Sequence, residues 1–437
     1  MGTDLFIACR FENDAGGRDA FGRVLRLVLL LSICGPANAD LYAVDATAKP
    51  AAMARPAASR TQNSEAIPTL AGTGDAFFAA LPVGRWVGMA ASSTIRKAVA
   101  EFAPDYREYG NTGIASITRA WSGAGFDPET GTFYITGGGH FDSNFNGIIS
   151  ANAETGVFGV PIQPTVLTPG QVAAIKASWP PNNPWISWGQ AMYPSPYYYD
   201  GKPGAIHTYG SIWYAQGKVI MPGRIYDLAT RKFSRYETHA GSPGGMGLEV
   251  GRRLIGVNQI VDDYWSLLHF DLDTQTESVS HFVVPYEPGI GLAYSFNGQT
   301  FGCAIGNVLY FISTQTAQPA FGIPVAWSMD VTEVAPNYTA TRLKPTNAWS
   351  AEDMAGLQMN TMALDTDQNI LYIPSKDLRY FLTWKPLTGE LGKVVVSGAV
   401  PLAQGNSAYG RLRYYPKRKC LVLVNSIDEP IYFLRLS

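Results

Sequence analysis

The sequence predicts an all-β protein, a β-propeller of six or seven blades that is closed by an N-terminal strand. Three observations support this prediction. The chain has 45 glycines and 29 prolines, 12% of its residues are aromatic, and only 16% are charged, a composition typical of a folded, turn-rich protein. A strand–turn–strand pattern returns about every 40–60 residues, which is the period of propeller blades. The last repeat shows only three strands, so its fourth strand must come from elsewhere in the chain.

The N-terminal residues 1–39 have the pattern of a secretory signal peptide. Arg23 and Arg26 precede the apolar run "LVLLLSI", and "ANA" ending at Ala39 fits a small-x-small cleavage site. The apolar run is too short to span a bilayer. We therefore expect a secreted or periplasmic protein with no membrane span, in which an Ala/Pro-rich tether over 40–83 leads into a propeller over 84–437.

Charge and cysteine content narrow the partners and cofactors. The net charge of −2 gives no reason to expect nucleic acid as a partner. After cleavage only Cys303 and Cys420 remain, both in strand-like apolar runs, and we expect two buried, unpaired thiols. Nothing in the sequence indicates a metal or a cofactor. We expect a monomer.

The blades follow one another along the chain. The first is "AWSGAGFDPETGTFYITGGG" followed by "GIISANAETGVFGV", and the second is "HTYGSIWYAQGKVIMPGRIYDLATRKFSRYE". Further units run to the last, "YGRLRYYPKRKCLVLVNSIDEPIYFLRL", and its missing strand is predicted near "GRWVGMA", residues 84–90. An irregular seventh blade between 84 and 118 is the alternative.

Polar residues from adjacent blades are predicted to meet at one mouth of the central channel. His140 follows the second strand of its blade, His207 and Tyr209 begin the first strand of the next, and Arg224 ends its second strand. The loops at these positions open on the same face of a four-stranded blade. We expect these four residues to be catalytic. Further residues are predicted to contact substrate near the same mouth: Arg119, Trp121, Asp142, Asn146, Asn258, Lys376 and Arg411.

A long aromatic insertion, 164–204, joins the first two blades. It includes Trp185 and Trp188, which are candidates to stack on sugar rings. Insertions of this length are functional or disordered, and the many aromatic residues argue against disorder. Packing of the insertion onto the propeller is the alternative role.

The motifs "TGGGHFDSNFNG" and "HTYGSIWY", with the closing "RLRYYPKRKCLVLVNS", resemble those of bacterial kelch-type propellers, of which galactose oxidase is one. The resemblance covers most of residues 84–437. The stretch from Tyr209 to Arg224 is also similar to secreted propeller lyases that cleave uronate polysaccharides, such as ulvan lyases. This similarity implies an acidic polysaccharide or oligosaccharide as substrate, with His, Tyr and Arg at one channel mouth. Those families carry a second His about one hairpin before the GGGH position, where this chain has Arg119 and Trp121.

β-Elimination explains such a set of residues. Arg224 would neutralise the substrate carboxylate, a neutral His or a Tyr phenolate would take the proton, and the other residue or water would protonate the leaving oxygen. Which residue acts as the base stays open. A non-catalytic carbohydrate- or protein-binding module is the alternative, and His140 would then only hold the Asp142–Asn146 loop. A copper radical oxidase needs a cysteine near the histidines, and a glycosidase needs a carboxylate partner for Asp142; the sequence offers neither.

Overall fold

The structure of this chain is a computed structural model. It describes residues 66–102, 113–138, 145–166, 202, 207–236, 246–261, 264–283, 300–314, 324–358 and 360–436, with the backbone alone for 258–261, 264, 265 and 283. All of these residues lie in one unit that spans Asn63–Ser437. Six small β-sheets supply most of the regular structure. The predicted all-β fold is therefore confirmed.

The six sheets are the six blades of a propeller, and their strands follow chain order except for one added strand in blade 3 and the two N-terminal strands in blade 6. Strands are numbered along the chain. Blade 1 contains β3 (Ala124–Asp127), β4 (Thr132–Ile135), β5 (Ile148–Asn152) and β6 (Phe158–Ile162). Blade 2 contains β7 (Trp213–Ala215), β8 (Lys218–Met221), β9 (Arg224–Asp227) and β10 (Lys232–Arg235). Blade 3 contains β11 (Met246–Val250), β12 (Arg253–Val261), β13 (Tyr264–Asp271) and β14 (Glu277–Val283), and β18 (Asn337–Thr339) joins it in parallel.

The remaining blades complete the ring. Blade 4 contains β15 (Thr300–Ile305), β16 (Val308–Ser313), β17 (Val325–Asp330) and β19 (Thr341–Leu343). Blade 5 contains β20 (Ala363–Asp365), β21 (Ile370–Pro374), β22 (Tyr380–Lys385) and β23 (Glu390–Val395). Blade 6 contains β24 (Leu412–Tyr415), β25 (Cys420–Leu423), β26 (Tyr432–Leu434), β2 (Trp86–Met89) and β1 (Thr69–Leu70). The first strand of each blade is its innermost, and these strands contact one another around the axis, as β3 does with β7 and β20 with β24.

An N-terminal strand closes the ring, as predicted. Strand β2 pairs antiparallel with β26, placing Trp86 opposite Leu434. The indole N–H of Trp86 also donates to the carbonyl oxygen of Leu378 in blade 5 at 3.3 Å. The blade count is six, since the described residues between 84 and 118 form β2 and short helices rather than another sheet.

The predicted tether over 40–83 extends too far toward the propeller. Residues 66–83 pack on blade 6, where β1 pairs in parallel with β2 and a helix spans Gly74–Ala79. Phe77 and Phe78 of this helix are buried, with edge-on ring contacts to Phe433 at 4.9 and 5.3 Å between centroids. The other helices in the described part of the chain are equally short: Ile95–Val99, Ser116–Arg119 and Ala351–Ala355, with 3₁₀ turns at Gly113–Ala115, Tyr409–Arg411 and Pro416–Arg418.

A repeated side-chain bond shapes the hairpins at one end of the blades. In "DPETG", the carboxylate of Asp127 accepts from the amide of Glu129 at 3.1 Å and from the hydroxyl of Thr130 at 2.6 Å. Such bonds between a strand-ending Asp or Asn and the following turn favour the turn over continued strand. The same device recurs at Asn152, Asp227, Asp271, Asp330 and Asp365.

The hydrophobic core lies between neighbouring blades. Between blades 3 and 4, for example, Phe282 stacks on Phe311 with 6.3 Å between centroids, and both rings are buried. Cys303 and Cys420 are buried free thiols, as predicted, and burial raises the pKa of each. Both therefore act as small apolar core residues.

Candidate functional site

Three aromatic residues with left-handed backbone precede inner strands of adjacent blades. Trp121 (φ 53°), Tyr209 (φ 45°) and Tyr409 (φ 43°) lie just before β3, β7 and β24. Bulky residues rarely adopt this conformation, and such strain costs about 1–3 kcal/mol per residue and concentrates at functional sites. Blades 6, 1 and 2 thus each supply one strained aromatic residue to the same mouth of the channel.

These residues and His207 form one set of touching rings, hereafter the mouth cluster. The ring of Trp121 lies 4.5 Å from that of His207, measured between centroids. The ring of Tyr209 meets that of His207 edge-on at 5.3 Å and that of Tyr409 at 5.6 Å. The structure therefore brings together two of the four predicted catalytic residues, His207 and Tyr209, and one predicted substrate contact, Trp121.

A hydrogen bond joins the two polar members of the cluster. Nδ1 of His207 lies 3.0 Å from the hydroxyl oxygen of Tyr209. His207 is buried and Tyr209 is half-buried. Burial raises the pKa of the Tyr209 phenol, so the phenol is protonated at neutral pH. An imidazole nitrogen and a phenol oxygen can each donate or accept in this hydrogen bond, so a proton can pass between the two side chains.

Backbone contacts between blades 1 and 2 fix this arrangement. The amide of Tyr209 donates to the carbonyl oxygen of Trp121 at 2.8 Å. The amide of Gly123 donates to the hydroxyl of Thr208 at 2.9 Å. A Cβ on Gly123 would lie 1.9 Å from the carbonyl oxygen of Tyr209, so only glycine permits the two segments to approach this closely.

His207 and Tyr209 meet for a different reason from the one predicted. We predicted that they lie two apart on β7 and share one strand face. Instead β7 begins at Trp213, and both residues lie in the turn that leads to it. The left-handed backbone at Tyr209 folds its ring back onto His207.

The loop that carries His140 starts beside this turn. The hydroxyl of Thr208 donates to the carbonyl oxygen of Thr136 at 3.3 Å, and Thr136 directly follows β4. Gly137 and Gly138 continue with φ of 111° and 143°, which only glycine adopts readily. His140 and Asp142 lie outside the described residues, and so do Trp185 and Trp188.

Arg224 lies one strand further along the chain than predicted. It does not end β8 but begins β9, directly after the tight turn at Pro222 and Gly223, and it is 6% exposed. Strand alternation places it on the same face of β9 as Tyr226, whose hydroxyl donates to the carbonyl oxygen of Asn146 at 3.3 Å. Arg224 thus faces blade 1.

Asn146, a predicted substrate contact, is hydrogen-bonded within blade 1 instead. The amide side chain of Asn146 donates to the hydroxyl of Thr165 at 2.7 Å and accepts from the Thr165 amide at 2.7 Å. This pair joins the ends of β5 and β6 inside blade 1, and Asn146 is buried.

Arg411 is wholly committed to backbone carbonyls. It is fully buried, and its guanidinium donates to the carbonyl oxygens of Thr118, Ser122, Ser407, Val424 and Asn425 at 2.6–2.9 Å. A guanidinium has five N–H donors, so none remains for a ligand. The prediction that Arg411 binds substrate is wrong, because the residue ties blade 6 to blade 1.

The other predicted contacts lie at the surface or are described only in part. Arg119 is exposed, and its carbonyl oxygen accepts from the side chain of Asn406 at 2.7 Å. Lys376 is exposed in blade 5 and donates to the carbonyl oxygen of Ala355 at 3.3 Å. For Asn258 the structure describes only the backbone, within β12.

Sequence reasoning missed Tyr409. Its segment "AYGRLRYY" matches "TYGSIWY" in placing Tyr-Gly just ahead of an inner strand. That likeness was a usable signal, although the left-handed backbone that directs both rings to the mouth is not encoded by a recognisable motif.

Below the mouth cluster lies a cavity of about 680 Å³. Inner strands of five blades contribute to its wall, and blade 2 contributes Gly210 from the turn before β7. Tyr409 belongs both to the wall and to the mouth cluster. Most of the wall is apolar, including Phe126, Met246 and Met362, but Glu249 and Arg413 also line it. The cavity has the size of a small-molecule site.

Within the described residues, no three His, Cys, Asp or Glu side chains are grouped so that they hold a metal ion. The helices of that part of the chain are all too short or too polar to cross a membrane.

The chain is a six-bladed β-propeller. Comparison of its sequence with family models and with curated proteins gave no match. Solved propeller structures are similar to it. The calcium-binding protein regucalcin of Agrobacterium tumefaciens is 11% identical with a TM-score of 0.38, over 74% of this chain and 92% of its own. The gluconolactonase of Xanthomonas campestris is 10% identical with a TM-score of 0.38, over 82% of this chain and 99% of its own. Likeness at this level carries no argument about activity.

Proposed function

We propose that the protein is a carbohydrate-active lyase that cleaves uronate-containing polysaccharide by β-elimination at the mouth cluster. The observation that carries the proposal is the 3.0 Å contact between Nδ1 of His207 and the hydroxyl of Tyr209. It supplies a coupled acid and base beside the half-buried ring of Trp121, on which a sugar ring can stack.

The chemistry uses the phenol in its protonated form. The Tyr209 oxygen takes the proton from the carbon next to the substrate carboxylate while the phenolic proton moves to Nδ1 of His207. The electron pair of the broken C–H bond forms a carbon–carbon double bond, and the bond to the leaving glycosidic oxygen breaks. The proton on His207 then returns through Tyr209 to that oxygen. Because burial raises the pKa of Tyr209, this relay is favoured over a standing phenolate.

A cation must offset the charge that develops on the substrate carboxylate. In this proposal Arg224 does so, from the face of β9 that is turned toward blade 1. His140 would complete the site from the loop that begins beside Thr136 and Thr208. The signal-like residues 1–39 support export of the protein from the cell. Outside the cell it would meet polysaccharides that are too large to enter.

The test is a screen of purified protein on alginate, polygalacturonate, ulvan and glucuronate polymers, with detection of the unsaturated product by its ultraviolet absorbance. Tyr209→Phe and His207→Gln should lower the rate by about 10²–10⁴-fold with little change in melting temperature. Tyr214→Phe is the matched control, because it removes a half-buried phenol hydroxyl of the same blade away from the mouth cluster.

Two outcomes overturn the proposal. Binding of a polymer without any unsaturated product would identify the protein as the non-catalytic binding module. Product formation that Tyr209→Phe leaves unchanged would place the chemistry elsewhere.

A further inference from the structure

The central cavity holds two opposite charges that face each other without touching. Glu249 lies on β11 in blade 3 and Arg413 on β24 in blade 6. In a ring of six blades, the third and sixth lie across the channel from each other. The two side chains attract each other electrostatically, but no nitrogen of Arg413 lies within 4.0 Å of a carboxylate oxygen of Glu249.

Arg413 keeps donors available to the cavity. Its Nε donates to the carbonyl oxygen of Gly410 at 3.0 Å, and its Nη2 donates to that of Ala124 at 3.0 Å. A guanidinium has five N–H donors, so three of them have no acceptor among the residues that the structure describes. These two bonds hold the planar group in place, which prepares it to bind a carboxylate through two parallel hydrogen bonds.

Glu249 is the opposite half of the site. Its side chain is exposed on the wall of the cavity, and within the described chain its carboxylate accepts no hydrogen bond. Burial raises the pKa of Glu249 and lowers that of Arg413, and in each case the other residue's charge opposes the shift. Glu249 is exposed and Arg413 is half-buried on the wall of one cavity, so both charged groups are open to a ligand there.

We propose that this cavity binds a small zwitterion, an apolar α-amino acid, with its carboxylate on Arg413 and its ammonium group on Glu249. A zwitterion pairs the charges of both Glu249 and Arg413. The other charged residues of the wall, Glu129 and Lys417, lie in the hairpin turns that follow β3 and β24. A simple anion would leave Glu249 facing a second negative charge. The apolar wall formed by Met246, Met362 and Phe126 then packs against the ligand side chain.

The site is distinct from the proposed acid–base pair. Neither His207 nor Tyr209 lines the cavity, and neither Glu249 nor Arg413 belongs to the mouth cluster. Binding of an amino acid here requires no polysaccharide cleavage, and it would place a small-molecule site directly beneath the mouth.

Calorimetric titration of the unaltered protein tests this with three ligands that share one carbon skeleton. L-leucine should bind, whereas 4-methylpentanoate, which lacks the ammonium group, and isoamylamine, which lacks the carboxylate, should each bind at least about tenfold more weakly. Equal binding of leucine and 4-methylpentanoate, or no binding of leucine, overturns the proposal without reliance on any variant.

Variants separate the zwitterion from a uronic acid. Glu249→Gln should weaken leucine binding at least about tenfold, because the ammonium group loses its counter-charge. If galacturonate binds instead, and Glu249→Gln strengthens it by removing a repulsive charge, the ligand is an anion and the proposal is wrong. Tyr209→Phe is the control: it should leave leucine binding unchanged even if it abolishes lyase activity.

Discussion

Acid should destabilise this propeller through one buried histidine, His269. The side chain lies on β13 between blades 3 and 4, is 2% exposed, and faces the ring of Tyr338 at 5.8 Å between centroids. Neither ring nitrogen has a hydrogen-bond partner in the described structure. Burial, and secondarily the charge of Arg253, lowers the pKa of His269 from 6.5 to about 4.

The sign and size of the effect follow from linkage. Between pH 6.5 and about 4 the unfolded chain binds a proton at this residue and the folded chain does not, so the free energy of unfolding falls as the pH falls through this window. The contribution is fully present above pH 6.5. The shift of the pKa corresponds to about 3 kcal/mol at about 1.4 kcal/mol per unit.

Urea unfolding of the native protein and of His269→Leu at a series of pH values from 7 to 4 measures this directly. Leu has a similar volume and no charge to bury, so the stability of the variant relative to native should rise by about 3 kcal/mol between pH 7 and pH 4. Arg253→Gln should narrow the window by raising the pKa of His269. Parallel pH profiles for native protein and His269→Leu would refute the reasoning.

Three further predictions concern how the blades are held together. Arg411→Met should lower the free energy of unfolding by at least about 4 kcal/mol in chemical denaturation, because five buried carbonyl oxygens lose their donors. Arg411→Lys should lower it less, and an Arg411→Met variant as stable as the native protein would contradict this role. Gly123→Ala should lower stability by about 1–3 kcal/mol, because its Cβ meets a carbonyl oxygen at 1.9 Å, whereas Gly405→Ala, with open space around it, should not; equal melting temperatures of the two variants would argue against the close approach. Deletion of 80–92 removes β2 and should abolish cooperative thermal unfolding; an unchanged melting temperature would mean that the ring closes otherwise.

The blades were predictable because their signals are local. Turns such as "DPETG" encode their own hydrogen bonds, and the three-strand final repeat required a partner strand. The extent of the N-terminal segment was not predictable in this way. Phe77 and Phe78 lie in an Ala-rich stretch, and Phe433, which contacts both rings, is far away in sequence.

The site was predictable only in part. Its location in the lead-in to β7 follows from strand order, but the contact between His207 and Tyr209 depends on a left-handed turn that no propensity specifies. Arg411 suggested a ligand contact because a sequence does not show where backbone carbonyls converge. That Glu249 and Arg413 lie on opposite sides of the channel can be inferred only once the number of blades is known to be six.

Closure of the ring by β2 and β26 sets the order of events while the chain is made. The paired residues Trp86 and Leu434 are about 350 residues apart, so at about 5–20 residues per second β2 is synthesised about 20–70 s before its partner. Throughout that interval the edge of β2 that pairs with β26 has no partner strand, although β1 is already available to the other edge. An unpaired edge is the condition under which strands associate with other chains. Pairing of β2 with β26 therefore has to wait until residues 432–434 are made, and a chain that lacks them has no complete sixth blade.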